Sequence, residues 1–154
     1  MKLAHHGLSA DLPRGWDGRI FRRAQEEEGG TSNPILHAAT VPLPQDRGDF
    51  GSGVVDLLGD DDVFVALVEY DPEAAATALF RRQGVPRRLA ASLFGPNRLQ
   101  RAIPGQSGTQ VFFTEGGRAY CLYVVLGSGA NRGALLGKVH QLLGSLHIER
   151  GGRS

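Results

Sequence analysis

Arg118-Ala119-Tyr120-Cys121-Leu122-Tyr123-Val124-Val125-Leu126 is the most hydrophobic stretch of this chain. Bounded by Gly116-Gly117 and by Gly127, it predicts a strand buried on both faces. Downstream, Leu135, Leu136, Val139, Leu142, Leu143 and Leu146 recur at intervals of three and four residues. That spacing lines one stripe of an α-helix and is the strongest periodic signal in the sequence. An amphipathic helix must lay its stripe on another element, so Arg118 to Leu146 reads as a core strand and the helix that closes the core.

Working outward, Thr109 to Thr114 alternates in part and meets the apolar run through Glu115-Gly116-Gly117, which predicts a tight hairpin. Val63 to Tyr70 is a second near-continuous apolar run and predicts a central strand, with Asp60-Asp61-Asp62 as the turn before it. Asp49 to Leu58 suggests a short helix stopped by Gly59. Asp71-Pro72-Glu73 has the residues of a helix start, which predicts a helix to about Arg82 that stops at Gly84. Nearer the N-terminus, Leu12-Pro13-Arg14-Gly15 predicts a turn between strands at Leu8 to Asp11 and Trp16 to Arg23. Pro34 opens a further strand, Ile35 to Thr40. Val85 to Gly108, broken by Pro86, Pro96 and Pro104, predicts turns with one short strand near Leu99 to Ala102.

Helices that do not alternate regularly with strands give an antiparallel-rich α+β fold. The expected organisation is a loose N-terminus at 1–7, one domain at 8–149 and a disordered tail at 150–154. At 154 residues the chain has the size of a single domain, which buries roughly two thirds of its unfolded surface. With 41% hydrophobic and 21% charged residues it has the composition of a globular protein. A formal net charge of +1 gives no whole-protein reason to expect nucleic-acid or membrane binding. Without the apolar stretch of a signal peptide or a membrane span, the expected setting is cytoplasmic.

The motifs that resemble chemistry fall short of it. Gly127-Ser128-Gly129-Ala130-Asn131-Arg132-Gly133 has the look of a dinucleotide-binding turn, but no further strand and acidic residue follow as that motif requires. Gly133 to Val139 lacks one spacer and the hydroxyl residue of a phosphate loop. Cys121, inside an apolar strand, reads as buried and unreactive. His140 and His147 are seven apart, two turns of the expected closing helix and too far to ligate one metal by themselves. No cofactor, metal or catalytic residue is expected.

Charge order along the chain is more informative. Asp46 to Glu73 holds nine acids and a single cation, Arg47, whereas Ala74 to Thr114 holds six arginines and no acid. Those arginines, Arg81, Arg82, Arg87, Arg88, Arg98 and Arg101, form the candidate partner-binding site, because a planar guanidinium fork suits carboxylate or phosphate. With only Phe80 and Phe94 as aromatics among them, nucleic acid ranks last. The other outcomes of the same pattern are that the two segments face each other, or are solvated.

Leu12-Pro13-Arg14-Gly15-Trp16 resembles the opening motif of the PsbP/Mog-type superfamily, which includes actinobacterial LpqN-type proteins. The turn from Gly116 to Tyr120, the apolar strand after it and the closing Leu143-Gly144-Ser145-Leu146 are similar as well. The resemblance covers the two ends of the domain, about half the chain. It implies an α/β/α sandwich around a mostly antiparallel sheet and non-enzymatic work on other proteins. The matched positions are turn and core residues, so no functional residue carries over. Residues and resemblance together lead to an interaction or accessory domain that docks an acidic partner protein. The alternatives are a small-molecule binding domain or enzyme with a pocket between sheet and helix, and a self-associating domain, a homodimer.

Overall fold

The two apolar runs sit side by side at the centre of the molecule. The computed structural model describes residues 1–22, 33–44, 53–96 and 103–149. Within them the strands are β1 (Lys2–His5), β2 (Leu8–Asp11), β3 (Asp17–Arg22), β4 (Pro34–Ala39), β5 (Val63–Glu69), β6 (Ser107–Glu115), β7 (Arg118–Leu126) and β8 (His147–Ile148). Helix α1 spans Arg132–Ser145. A five-stranded antiparallel sheet has the order β3-β4-β5-β7-β6, and a three-stranded one the order β1-β2-β8.

Alternation places successive side chains of β5 and β7 on opposite faces. Val65, Leu67, Leu122 and Val124 share one cluster with Leu135, Val139, Leu142 and Leu143 of α1. Phe64, Ala66, Tyr123 and Val125 belong to a second cluster, closed by Val54 and Val55 of a short 3-10 helix at Val54–Leu57. A strand covered on both faces has no polar positions to spare, hence the unbroken apolar runs. Each of the five buried residues of α1 contributes about 1.5–3 kcal/mol by leaving water.

The small sheet caps the α1 side. Leu8, Ala10 and Ile148 enter the first cluster, and the Asp11 N–H donates to Ser145 Oγ at 2.8 Å, tying β2 to the last turn of α1. Residues 1–7 are therefore not a loose terminus: Lys2–His5 pairs along β2 from Lys2↔Asp11 to His5↔Leu8. The closing helix also ends earlier than its apolar pattern suggests. Leu146 is extended, with ψ 128°, and His147 lies in β8 opposite Ser9.

The helix expected from Asp71 to Arg82 is two 3-10 segments, Pro72–Ala76 and Ala78–Phe80, separated by extended Thr77. Asp71 makes no capping bond there and instead accepts from Asn33 Nδ2 at 3.3 Å. Cap residues alone do not stabilise a short α-helix. Only Phe80 in these two segments is buried, so there is no apolar stripe to hold one. Among the described residues α1 is the single α-helix, and 3-10 segments stand where a sandwich would carry a second helical layer. The short helix expected from Asp49 is described only at Val54–Leu57. The strand expected near Leu99 to Ala102 and the tail at 150–154 lie outside the described residues.

Candidate interaction surface

The arginine-bearing segment is stitched to the sheet at both ends. Thr114 N–H donates to the Arg82 carbonyl and Gly84 N–H to the Thr114 carbonyl, each at 2.8 Å. Further along, Gly95 and Gly108 exchange two backbone hydrogen bonds of 3.0 and 3.1 Å. Between these anchors the chain crosses toward α1, burying Leu89 and Phe94 in the main core. His140 Nε2 lies 2.9 Å from the Leu89 N and 3.3 Å from the Leu89 carbonyl oxygen, which ties α1 to this crossing.

Arg87 completes the attachment. Its Nη1 donates to the carbonyls of Leu143 at 2.6 Å and Leu146 at 2.7 Å. These lie at the C-terminal end of α1, where the Leu143 carbonyl otherwise accepts only the capping N–H of Leu146 among the described residues and the dipole favours a cation. Of the six candidate arginines, Arg87 therefore has a demonstrable structural task. Replacing it with glutamine is expected to lower stability by about 2 kcal/mol, the scale of hydrogen bonds from a charged donor. Arg88→Gln should leave urea unfolding within about 0.5 kcal/mol of native. Equal effects of the two would mean that the Arg87 bonds carry no weight.

Arg81, Arg82 and Arg88 are exposed, and among the described residues none of their side chains makes a hydrogen bond or ion pair. Arg98 and Arg101 lie outside the described residues, as do Asp46 and Asp49 of the acidic segment. Among the described residues no acid forms an ion pair with Arg81, Arg82 or Arg88, although Glu69, Asp71 and Glu73 lie at or just beyond the β5 end nearest Arg82. Asp60 to Asp62 precede β5, while the Arg82 and Gly84 bonds to Thr114 fall at the far end of that strand, beside the β6–β7 hairpin. Glu69 is already taken: Arg118 Nε and Nη2 donate to its Oε2 and Oε1, both at 2.8 Å.

That ion pair was not legible in advance, because its members sit at the ends of two apolar runs far apart in sequence. Beside it Tyr120 is fully buried, and among the described residues its hydroxyl has no hydrogen-bond partner. Burial, then the Glu69 charge, raises its phenol well above the ordinary tyrosine range, while Arg118 opposes them. Cys121 is buried as expected, its thiol pushed up to about 12 by desolvation. Among the described residues no three His, Cys, Asp or Glu side chains are placed to hold a metal ion. Gly127 and Gly129 lie in the turn into α1 and Gly133 already in its first turn, with the Gly127 N–H donating to the Asp62 carbonyl at 2.8 Å.

Two grooves accompany these elements. One, of about 500 Å³, lies against the β6–β7 hairpin and is lined by Ala75, Gln83, Gly84, Thr114, Glu115, Gly116 and Gly117. The other, of about 200 Å³, lies on the three-stranded sheet among Lys2, His5, Ser9, His147 and Glu149. Neither lies between the five-stranded sheet and α1, where the described side chains pack as one cluster. No helix among the described residues is long and apolar enough to cross a membrane. Comparison with protein-family models, with curated proteins and with solved structures finds no match for this chain.

Proposed function

We propose that this is a non-enzymatic interaction domain which docks an acidic partner protein through Arg81, Arg82 and Arg88. One observation carries the reading. Three exposed guanidinium groups, without partners among the described residues, stand on a segment fixed to β6 and α1. A surface arginine held on a rigid backbone loses less freedom when it meets a carboxylate than one on a loose tail. The resemblance of Leu12 to Trp16 and of the closing strand and helix to the PsbP/Mog-type superfamily supports the same reading.

Capture from native lysate tests it, comparing the unaltered domain with Arg81→Glu/Arg82→Glu/Arg88→Glu. Arg87 stays unaltered, so that a folding defect does not masquerade as lost binding. The expected result is an acidic protein retained by the native chain at low salt, released at high salt and lost from the variant. Equal retention by the variant, with an unchanged melting temperature, would exclude these arginines as the docking site.

A further inference from the structure

We infer that an extended segment of the partner crosses the groove at Gln83, pairing with the open N–H and C=O of that residue and placing its carboxylates on Arg81 and Arg82. The inference rests on the arginine-docking reading and gives it a place and a binding mode. Gln83 bridges Thr114 in parallel, and Thr114 makes both backbone bonds, one to residue 82 and one to residue 84. The N–H and C=O of Gln83 itself therefore point away from β6, and among the described residues they have no backbone partner. Gln83 is a single bridging residue outside the named strands, and its one N–H and C=O pair is open to another extended backbone.

The groove leaves room for one. A methyl group built on Gly84 or Gly117 would meet nothing within 4 Å, and Ala75 is the side chain on the 3-10 wall. Small residues let a second backbone approach closely. The chemistry is directional. Arg81 and Arg82 immediately precede the lining residue Gln83, whereas Glu115 stands at the hairpin end. A carboxylate is attracted at the first end and repelled at the second, so the segment carries its acids at the arginine end only. No aromatic side chain lines the groove, which disfavours nucleic acid, since bases need a stacking surface.

The probe is a fluorescein-labelled, proline-free octapeptide with two aspartates at one end and threonine and valine elsewhere, followed by anisotropy. Arg81→Gln/Arg82→Gln is expected to weaken binding about tenfold at low salt, with the difference shrinking at high salt. Ala75→Trp, which fills the groove without changing charge, should weaken it at least as much. N-methylation of alternate peptide bonds in the probe should do the same and asks nothing of the protein's fold. Glu115→Gln should tighten a probe that is acidic throughout. If only the arginine variant weakens binding, the arginines dock acids outside the groove, and this inference fails while the docking reading stands. If the native chain does not bind the probe, or if single-stranded RNA displaces it and binds more tightly, the inference is overturned. Loss of the docking reading is scored separately, by the lysate capture.

Discussion

Gly127→Ala is expected to cost the fold about 3 kcal/mol or more and to lower the melting temperature by about 10 °C. A Cβ at this position would lie 1.9 Å from the Gly59 carbonyl oxygen and 3.0 Å from that of Asp62. Both obstacles are backbone, so no side-chain rotation relieves them. Nor is the 59–62 turn free to retreat. The Asp62 N–H donates to the Gly59 carbonyl, the Gly59 N–H donates to Asp62 Oδ2, and Thr40 Oγ1 donates to Asp62 Oδ1 at 2.8 Å. Lys138 Nζ holds the Asp61 carbonyl at 2.6 Å from the side of α1. Moving the turn would therefore strain the end of β5 and the entry to α1 together. Gly137→Ala supplies the contrast. It sits on the exposed side of α1 with nothing within 4 Å of an added methyl. There alanine should raise stability by about 0.5–1 kcal/mol through helix propensity alone. Thermal and urea unfolding of the two variants decide the matter, and a Gly127→Ala protein that melts with the native chain would refute the close crossing.

The same glycine marks the boundary of what local sequence conveys. β5, β7 and α1 were legible because burial on two faces, or along one stripe, forces a pattern into consecutive residues. The hairpin at Gly116–Gly117 was legible too: both residues have positive φ, 61° and 82°, a conformation that favours glycine. Pairings between distant segments leave no such trace. The turn after β2 suggests that β2 and β3 belong together, yet β2 pairs with β1 and, through Leu8↔Ile148, with the far end of the chain. The misread helix from Asp71 fails for the complementary reason. Its cap residues are present, but a cap stabilises an end and not a stripe, and the alanines there bury too little to stabilise an α-helix.

Charge order along the chain was a partial guide to the surface. It singles out a segment on which Arg81, Arg82 and Arg88 are exposed. It did not separate them from Arg87, because a count of cations does not reveal which guanidinium meets the carbonyls of Leu143 and Leu146, more than fifty residues away. The groove went unread for a similar reason. Its lining comes from a 3-10 segment, a bridge residue and a hairpin turn, which only the fold brings together.

Arg118→Met is the second large effect, an expected loss of about 3 kcal/mol in urea unfolding. The Glu69 side chain is 7% exposed and the Arg118 side chain 27%, so removing the guanidinium leaves a carboxylate in a nearly dry setting with its principal donor gone. The bidentate geometry makes the loss larger than for a surface pair, whose breakage costs at most about 1 kcal/mol. Part of the stability should return in Glu69→Gln/Arg118→Met, where a neutral amide replaces the stranded charge. The two single variants and the double variant then form a cycle with a coupling of about 2 kcal/mol between the positions. Additive effects would mean that Arg118 acts through packing of its stem alone. The location gives the pair a further consequence. It joins the end of β5 to the first residue of β7, directly after the Gly116–Gly117 turn that walls the groove. Loosening it should therefore widen the hairpin and weaken the octapeptide probe even though Arg118 does not line the groove, whereas Glu69→Gln/Arg118→Met should restore stability and binding in step.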